Sequence, residues 1–82
     1  MTLQQLEYIV AVNRYRHFAQ AADSCNVTQP TLSAMIQKLE EELGVKIFDR
    51  KQQPIATTSA GKAVIEQAWQ VLLEAKKLKE VV

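Results

Sequence analysis

The chain has 82 residues, 48% of them apolar, with a formal net charge of +1 and one cysteine. That is enough for one small core and no second one, and the apolar fraction excludes a disordered tail. No apolar run approaches the roughly 18 residues of a spanning helix, the opening Met1-Thr2-Leu3-Gln4-Gln5 does not read as a secretory signal, and Cys25 alone forms no internal disulfide, which fits a reducing, cytoplasmic setting. The charge is unevenly spread: residues 29–43 are acidic through Glu40, Glu41 and Glu42, whereas residues 44–62 carry Lys46, Arg50, Lys51 and Lys62 against Asp49. Such a basic segment is either a solvated loop or a footprint for an anionic partner.

The first helix opens at Thr2, which with Gln5 has the spacing of a capping box, and Met1 and Leu6 stand at the staple positions around it. Leu3, Leu6, Ile9 and Val10 share a face, and the helix is expected to fade near Asn13. A second, short helix carries Phe18, Ala21, Ala22 and Cys25 on one face. Its two alanines let a neighbour approach closely, and Asn26 suits a left-handed C-terminal position. Asn26-Val27-Thr28 then forms a three-residue turn. Thr28 caps a third helix, Val27 and Leu32 form a second staple, and Pro30 sits in the first turn, where a missing amide proton costs little. Leu32, Ile36, Leu39 and Leu43 form its buried stripe, and Gly44 ends it.

Val45, Ile47 and Phe48, then Ile55, Ala56 and Thr57, predict a small two-stranded hairpin around Arg50-Lys51-Gln52-Gln53, with Pro54 confined to an edge. Thr58 caps a last helix of about 24 residues, roughly 36 Å long. Val64, Ala68, Val71, Ala75, Leu78 and Val82 step by four and three residues, which is a heptad seam for dimerisation. Ile65, Trp69 and Leu72 lie beside it, with Trp69 expected to anchor this helix on the first.

Two short helices joined by a tight turn, followed by a basic hairpin, describe a mainly α winged helix-turn-helix: three helices and a two-stranded wing over residues 1–58, then a long linker helix over 59–82. The outer face of the third helix bears Gln29, Pro30, Thr31, Ser33, Ala34, Gln37 and Lys38, short or amide-bearing side chains with no acid among them. Such a helix enters a major groove roughly 12 Å wide without turning a carboxylate toward phosphate, and glutamine pairs with adenine through two hydrogen bonds. Its free N-terminal amides, capped by Thr28, suit a phosphate oxygen. The competing interpretation is a helical dimerisation or protein-interaction module, distinguished by the steep loss of affinity that salt imposes on a DNA binder.

The stretches Phe18-Ala19-Gln20-Ala21-Ala22, Val27-Thr28-Gln29-Pro30-Thr31-Leu32-Ser33 and Ile36-Gln37-Lys38-Leu39-Glu40-Glu41-Glu42-Leu43-Gly44 resemble the LysR-type transcriptional regulators. Ile47-Phe48-Asp49-Arg50 and Thr58-Ser59-Ala60-Gly61 continue the match in register, so it covers the whole chain. Leu6-Glu7-Tyr8 and the run from Arg16-His17-Phe18 to Cys25 are similar to the peroxide-responsive branch. The resemblance implies base or phosphate contacts for Gln29, Pro30, Thr31, Ser33, Ala34 and Gln37, with Thr28, Lys38 and Thr58 flanking them on the DNA-binding face. It implies a wing arginine, Arg50, reaching toward the minor groove with Gln53 nearby. It also implies a linker helix that pairs antiparallel in a homodimer on a near-palindromic duplex, a tetramer in the full-length protein, and an inducer-binding domain beyond residue 82. The chain departs from the pattern at Arg16 and His17, where glycine and serine are usual, at Ala34 and Gln53, where basic residues are common, and at Thr57, which replaces leucine. These departures weaken the expected phosphate grip.

His17, the only histidine, reads as a phosphate contact or a cap for the second helix. No second histidine or cysteine completes a tetrahedral metal set, and no cofactor is expected. Cys25 reads as core rather than as a redox sensor, since nothing basic lies near it in sequence to lower its pKa. With two glycines, no phosphate loop and no Ser, His and Asp constellation, the chain is not expected to be an enzyme.

Overall fold

In a computed structural model that describes residues 1–82, four helices and a short hairpin follow in the order α1 (Leu3–Tyr15), α2 (Phe18–Ser24), α3 (Gln29–Leu43), β1 (Phe48–Asp49), β2 (Ala56–Thr57) and α4 (Ser59–Glu80). No helix is long and apolar enough to cross a membrane. The α1 cap forms as its residues dictate. Gln5 N donates to Thr2 Oγ1 at 3.1 Å, and Thr2 N donates to Gln5 Oε1 at 2.9 Å. Met1 does not staple onto Leu6. It is exposed, and its ammonium group pairs with Glu42 Oε1 at 2.7 Å. The helix also outlasts its expected end at Asn13, because Arg16 takes a left-handed conformation (φ 55°) and donates its amide to Val12 O.

Helix α1 touches α2, α3 and α4 and so lies at the centre of the domain. Its Leu6, Tyr8, Ile9, Ala11 and Val12 are buried, with Ala21 and Ala22 of α2, Leu32, Ile36 and Leu39 of α3, and Ile65 and Ala68 of α4. Buried Gln5 crosses from α1 to α3 by donating its side-chain amide to Met35 O at 3.0 Å. Leu3 and Leu43, expected in this core, are exposed, because each lies at a helix end that runs past the packed layer.

The hairpin is shorter than its strand formers suggest. Phe48 pairs with Thr57 and Asp49 with Ala56, antiparallel, and nothing more. Ile47 and Ile55 leave the ladder because both are drawn into the core. Helix α4 docks close to this hairpin through Thr58, which caps it by accepting from Gly61 N at 2.9 Å, and whose own amide donates to Ile47 O at 2.9 Å. A Cβ at Gly61 would collide with the Ile47 carbonyl, so only glycine permits this approach.

Candidate nucleic-acid interface

The turn between α2 and α3 follows from local backbone chemistry. Asn26 is left-handed (φ 58°), its amide donates to Asp23 O and that of Val27 to Ala22 O, which together satisfy the last carbonyls of α2. Helix α3 restarts at once: Thr28 Oγ1 accepts from Thr31 N at 3.3 Å and donates to Thr31 Oγ1 at 2.8 Å. With Leu32, Ile36 and Leu39 buried, helical geometry turns the opposite face outward. Gln29, Pro30, Thr31, Ala34, Gln37 and Lys38 are all exposed, and Ser33 is half-buried at the margin. The exposed acids Glu41 and Glu42 lie at the far end of the helix.

The other elements gather at the start of α3. His17 caps α2, its Nδ1 accepting from Gln20 N at 3.3 Å. His17, Phe18 and Ala19 line one shallow groove with Gln29 of α3 and with Gln53 and Ile55 of the wing. The start of α2, the start of α3 and the wing tip therefore share one surface, and the residues that line it include no acid. Lys51 is exposed at the bend of the hairpin.

Arg50 is not extended toward a groove, contrary to expectation. Its Nη1 donates to Ser33 Oγ at 2.8 Å, its Nη2 lies 3.5 Å from Glu40 Oε1, and its guanidinium stacks 4.9 Å from the centre of the Phe18 ring. A planar cation with this many partners is fixed against the protein. It clamps the wing to both α2 and α3. Thr58 is likewise turned inward, its hydroxyl engaged with Lys46 O, Ile47 O and Gly61 N.

Glu40 supports this clamp, and sequence reasoning missed it by grouping it with Glu41 and Glu42. Its side chain is 3% exposed, and Oε2 accepts from Ile47 N at 2.8 Å and Phe48 N at 3.4 Å. The signal was present: Glu40 falls four residues after Ile36 and seven after Ser33, which places it on the flank of the buried stripe. Arg16, a departure from the family pattern, also has a structural role that the sequence did not show. It ties the other side of the wing to α1, donating from Nη1 to Ile55 O at 3.3 Å.

The seam on α4 is divided. Ala68 is buried in the domain's own core, and Val64 and Ala75 are half-buried, so Ala68 is not free to meet a second copy. Val71, Leu78 and Val82 remain exposed. Trp69 is 56% exposed and does not anchor α4 on α1; Ile65 and Ala68 do that. The cause is the Thr58 and Gly61 contact with Ile47, which sets the rotation of α4 so that Gly61, Ile65, Ala68 and Leu72 face inward, with Trp69 a further 100° around.

A family described as bacterial regulatory helix-turn-helix proteins of the lysR family matches residues 3–62. The hydrogen peroxide-inducible genes activator of Haemophilus influenzae is 49% identical over 81 residues, covering 99% of this chain and 27% of that protein. The DNA-binding transcriptional dual regulator OxyR of Escherichia coli K12 is 51% identical over the same shares. The chain thus spans about a quarter of the length of these curated relatives. Among solved structures, a full-length OxyR variant from Pseudomonas aeruginosa superposes with a TM-score of 0.94 at 44% identity, over 99% of this chain and 28% of that one. The BenM DNA-binding domain in complex with catB site 1 DNA matches with a TM-score of 0.94 at 38% identity, over 98% of this chain and 86% of that one.

Proposed function

This chain belongs to the LysR family of bacterial helix-turn-helix regulators, and from that membership we propose that it binds double-stranded DNA sequence-specifically, as the reading part of an OxyR-like transcription regulator. The observation that carries the proposal is the outer face of α3, where exposed Gln29, Pro30, Thr31, Ala34, Gln37 and Lys38 stand free of acids beside an acid-free groove lined by the start of α2 and by Gln53 and Ile55 of the wing. The BenM domain, similar in fold and 38% identical, was solved on DNA. Gln29 and Gln37 read base edges, Ser33 and Thr31 contact bases or phosphate, and Thr28 and His17 hold the helix starts against the backbone. Lys38, Lys51 and Gln53 border the duplex. This is binding chemistry rather than catalysis, in the cytoplasm, on the nucleoid.

The part of α4 beyond Ala68 pairs two copies through Val71, Leu78 and Val82, with Ala75 between them. Two reading heads related by symmetry meet a near-palindromic site, and a tetramer is the assembly of the longer protein. A peroxide signal enters through the remainder of such a protein and not through Cys25, which is half-buried against the core.

The test is selection of a duplex from a random library, followed by binding of wild type and Gln29→Ala across a salt series. The variant should lose about 1–3 kcal/mol on the selected duplex and much less on random DNA. Binding that does not weaken with salt, or no duplex enriched by wild type, refutes the reading.

A further inference from the structure

The wing has too little ladder to set its own angle. Two residue pairs join β1 to β2, and an isolated two-stranded hairpin is marginal even when longer. Its direction must therefore be imposed from outside. On the β1 side Arg50 does this through Ser33, Glu40 and Phe18. On the β2 side the support is Arg16.

Arg16 ends α1 at φ 55° and ψ 27°, a left-handed conformation that favours glycine. An arginine there is held by what its side chain reaches. Nε donates to Asn13 O at 2.7 Å and Nη2 to Asn13 Oδ1 at 3.2 Å, which fixes the guanidinium on the last turn of α1. Nη1 then donates to Ile55 O at 3.3 Å, while Ile55 N donates back to Arg16 O at 3.2 Å. Asn13 Oδ1 also accepts from Thr57 Oγ1 at 3.0 Å, so the same amide grips β2 itself. Ile55 is thereby bracketed by the main chain and the side chain of a single residue, just where the returning arm of the wing enters the core.

We propose that Arg16 is a positioning residue for DNA recognition: its side chain sets the angle of the wing against α3, and through that angle the contribution of the wing tip to binding. The proposal rests on the DNA-reading function, but its first half, the stiffening of the wing, does not.

The experiment uses the full chain with Arg16→Gly, which relieves the left-handed backbone and keeps the Ile55 N–H bond to the residue 16 carbonyl. Arg16→Asn serves as a second variant, since asparagine tolerates the same conformation but does not reach Ile55. Amide hydrogen exchange without DNA should quicken about tenfold at Ile55, Ala56 and Thr57, with the amides of α3 unchanged. Unchanged exchange at these three residues in both variants overturns the proposal. The second reading is a double-mutant cycle on a duplex selected by wild type from a random library. Lys51→Ala should weaken binding severalfold in wild type and by less than half as much in the Arg16→Gly background, whereas the loss from Gln29→Ala should be the same in both. An equal Lys51→Ala loss in the two backgrounds shows that Arg16 does not orient the wing tip and overturns it. If wild type enriches no duplex, the DNA reading fails by itself, and a positioning role in recognition fails with it.

Discussion

Removing the Glu40 carboxylate tests whether the buried knot behind the wing holds this fold. In Glu40→Ala, Ile47 N and Phe48 N lose their acceptor at 2.8 and 3.4 Å. A buried donor left unsatisfied costs about 1–3 kcal/mol, and the longer of these two bonds belongs at the lower end. Arg50 loses its anionic partner too, but its side chain is 34% exposed, so water screens that term to a few tenths of a kcal/mol. The sum is about 3 kcal/mol, a large share of the stability of a domain this small. Glu40→Gln keeps an acceptor oxygen for Ile47 N and should lose about half as much. Glu41→Ala, on the exposed neighbour, should stay within about 0.5 kcal/mol of wild type. Urea unfolding at matched protein concentration reads the differences, since any self-association would shift apparent stability. With a slope of about 1 kcal/mol per molar, the Glu40→Ala midpoint should fall by about 3 M. A Glu40→Ala midpoint indistinguishable from that of Glu41→Ala would mean that the buried amides find water instead, and the reasoning would fail.

Gly61→Ala drives a Cβ into the Ile47 carbonyl and should cost about 2–3 kcal/mol by thermal melting, in spite of alanine's better helix propensity; a neutral change would show that α4 shifts freely. Arg50→Ala should weaken DNA binding with little change in the slope of log affinity against log salt, because the guanidinium is engaged on Ser33 and Phe18. A slope smaller by about one unit would put Arg50 on a phosphate instead. Val71→Asp should convert a dimer to a monomer in sedimentation and weaken specific binding more than non-specific binding. A wild-type monomer at tens of micromolar would remove α4 as the dimer contact.

What could be read from the sequence was whatever the chain decides locally. Thr2, Thr28 and Thr58 cap their helices because a hydroxyl next to free amides needs no distant partner, and Asn26 and Gly44 close theirs because few residues tolerate positive φ. The exposed outer face of α3 followed from periodicity alone. Residues whose roles depend on another element were not legible. Glu40 looked like one of three surface acids until the Ile47 and Phe48 amides arrived above it. Arg50 looked free until Ser33 and Phe18 took its guanidinium. On α4, a heptad seam and a 3.6-residue face share their first positions. Only the docking of Gly61 on Ile47 decides between them, burying Ala68 and leaving Trp69 outside.

That docking also limits how the molecule can move. Helix α4 is bonded to the α3–β1 connection through Thr58, is packed on α1 through Ile65 and Ala68, and has no glycine or proline after Gly61. It offers none of the usual points at which a helix bends. Helix α3 is in turn joined to α1 by Gln5, through Met35 O, and to the wing by Arg50, through Ser33. Force applied at the exposed end of α4 therefore reaches α3 through packed side chains without passing a hinge. If two copies pair through α4 as proposed, a signal that changed DNA contact would have to rotate each head and its helix together, altering the spacing between the heads while leaving the outer face of each α3 as it is. Affinity for two half-sites at a fixed separation would then respond to the signal, and affinity for one half-site would not.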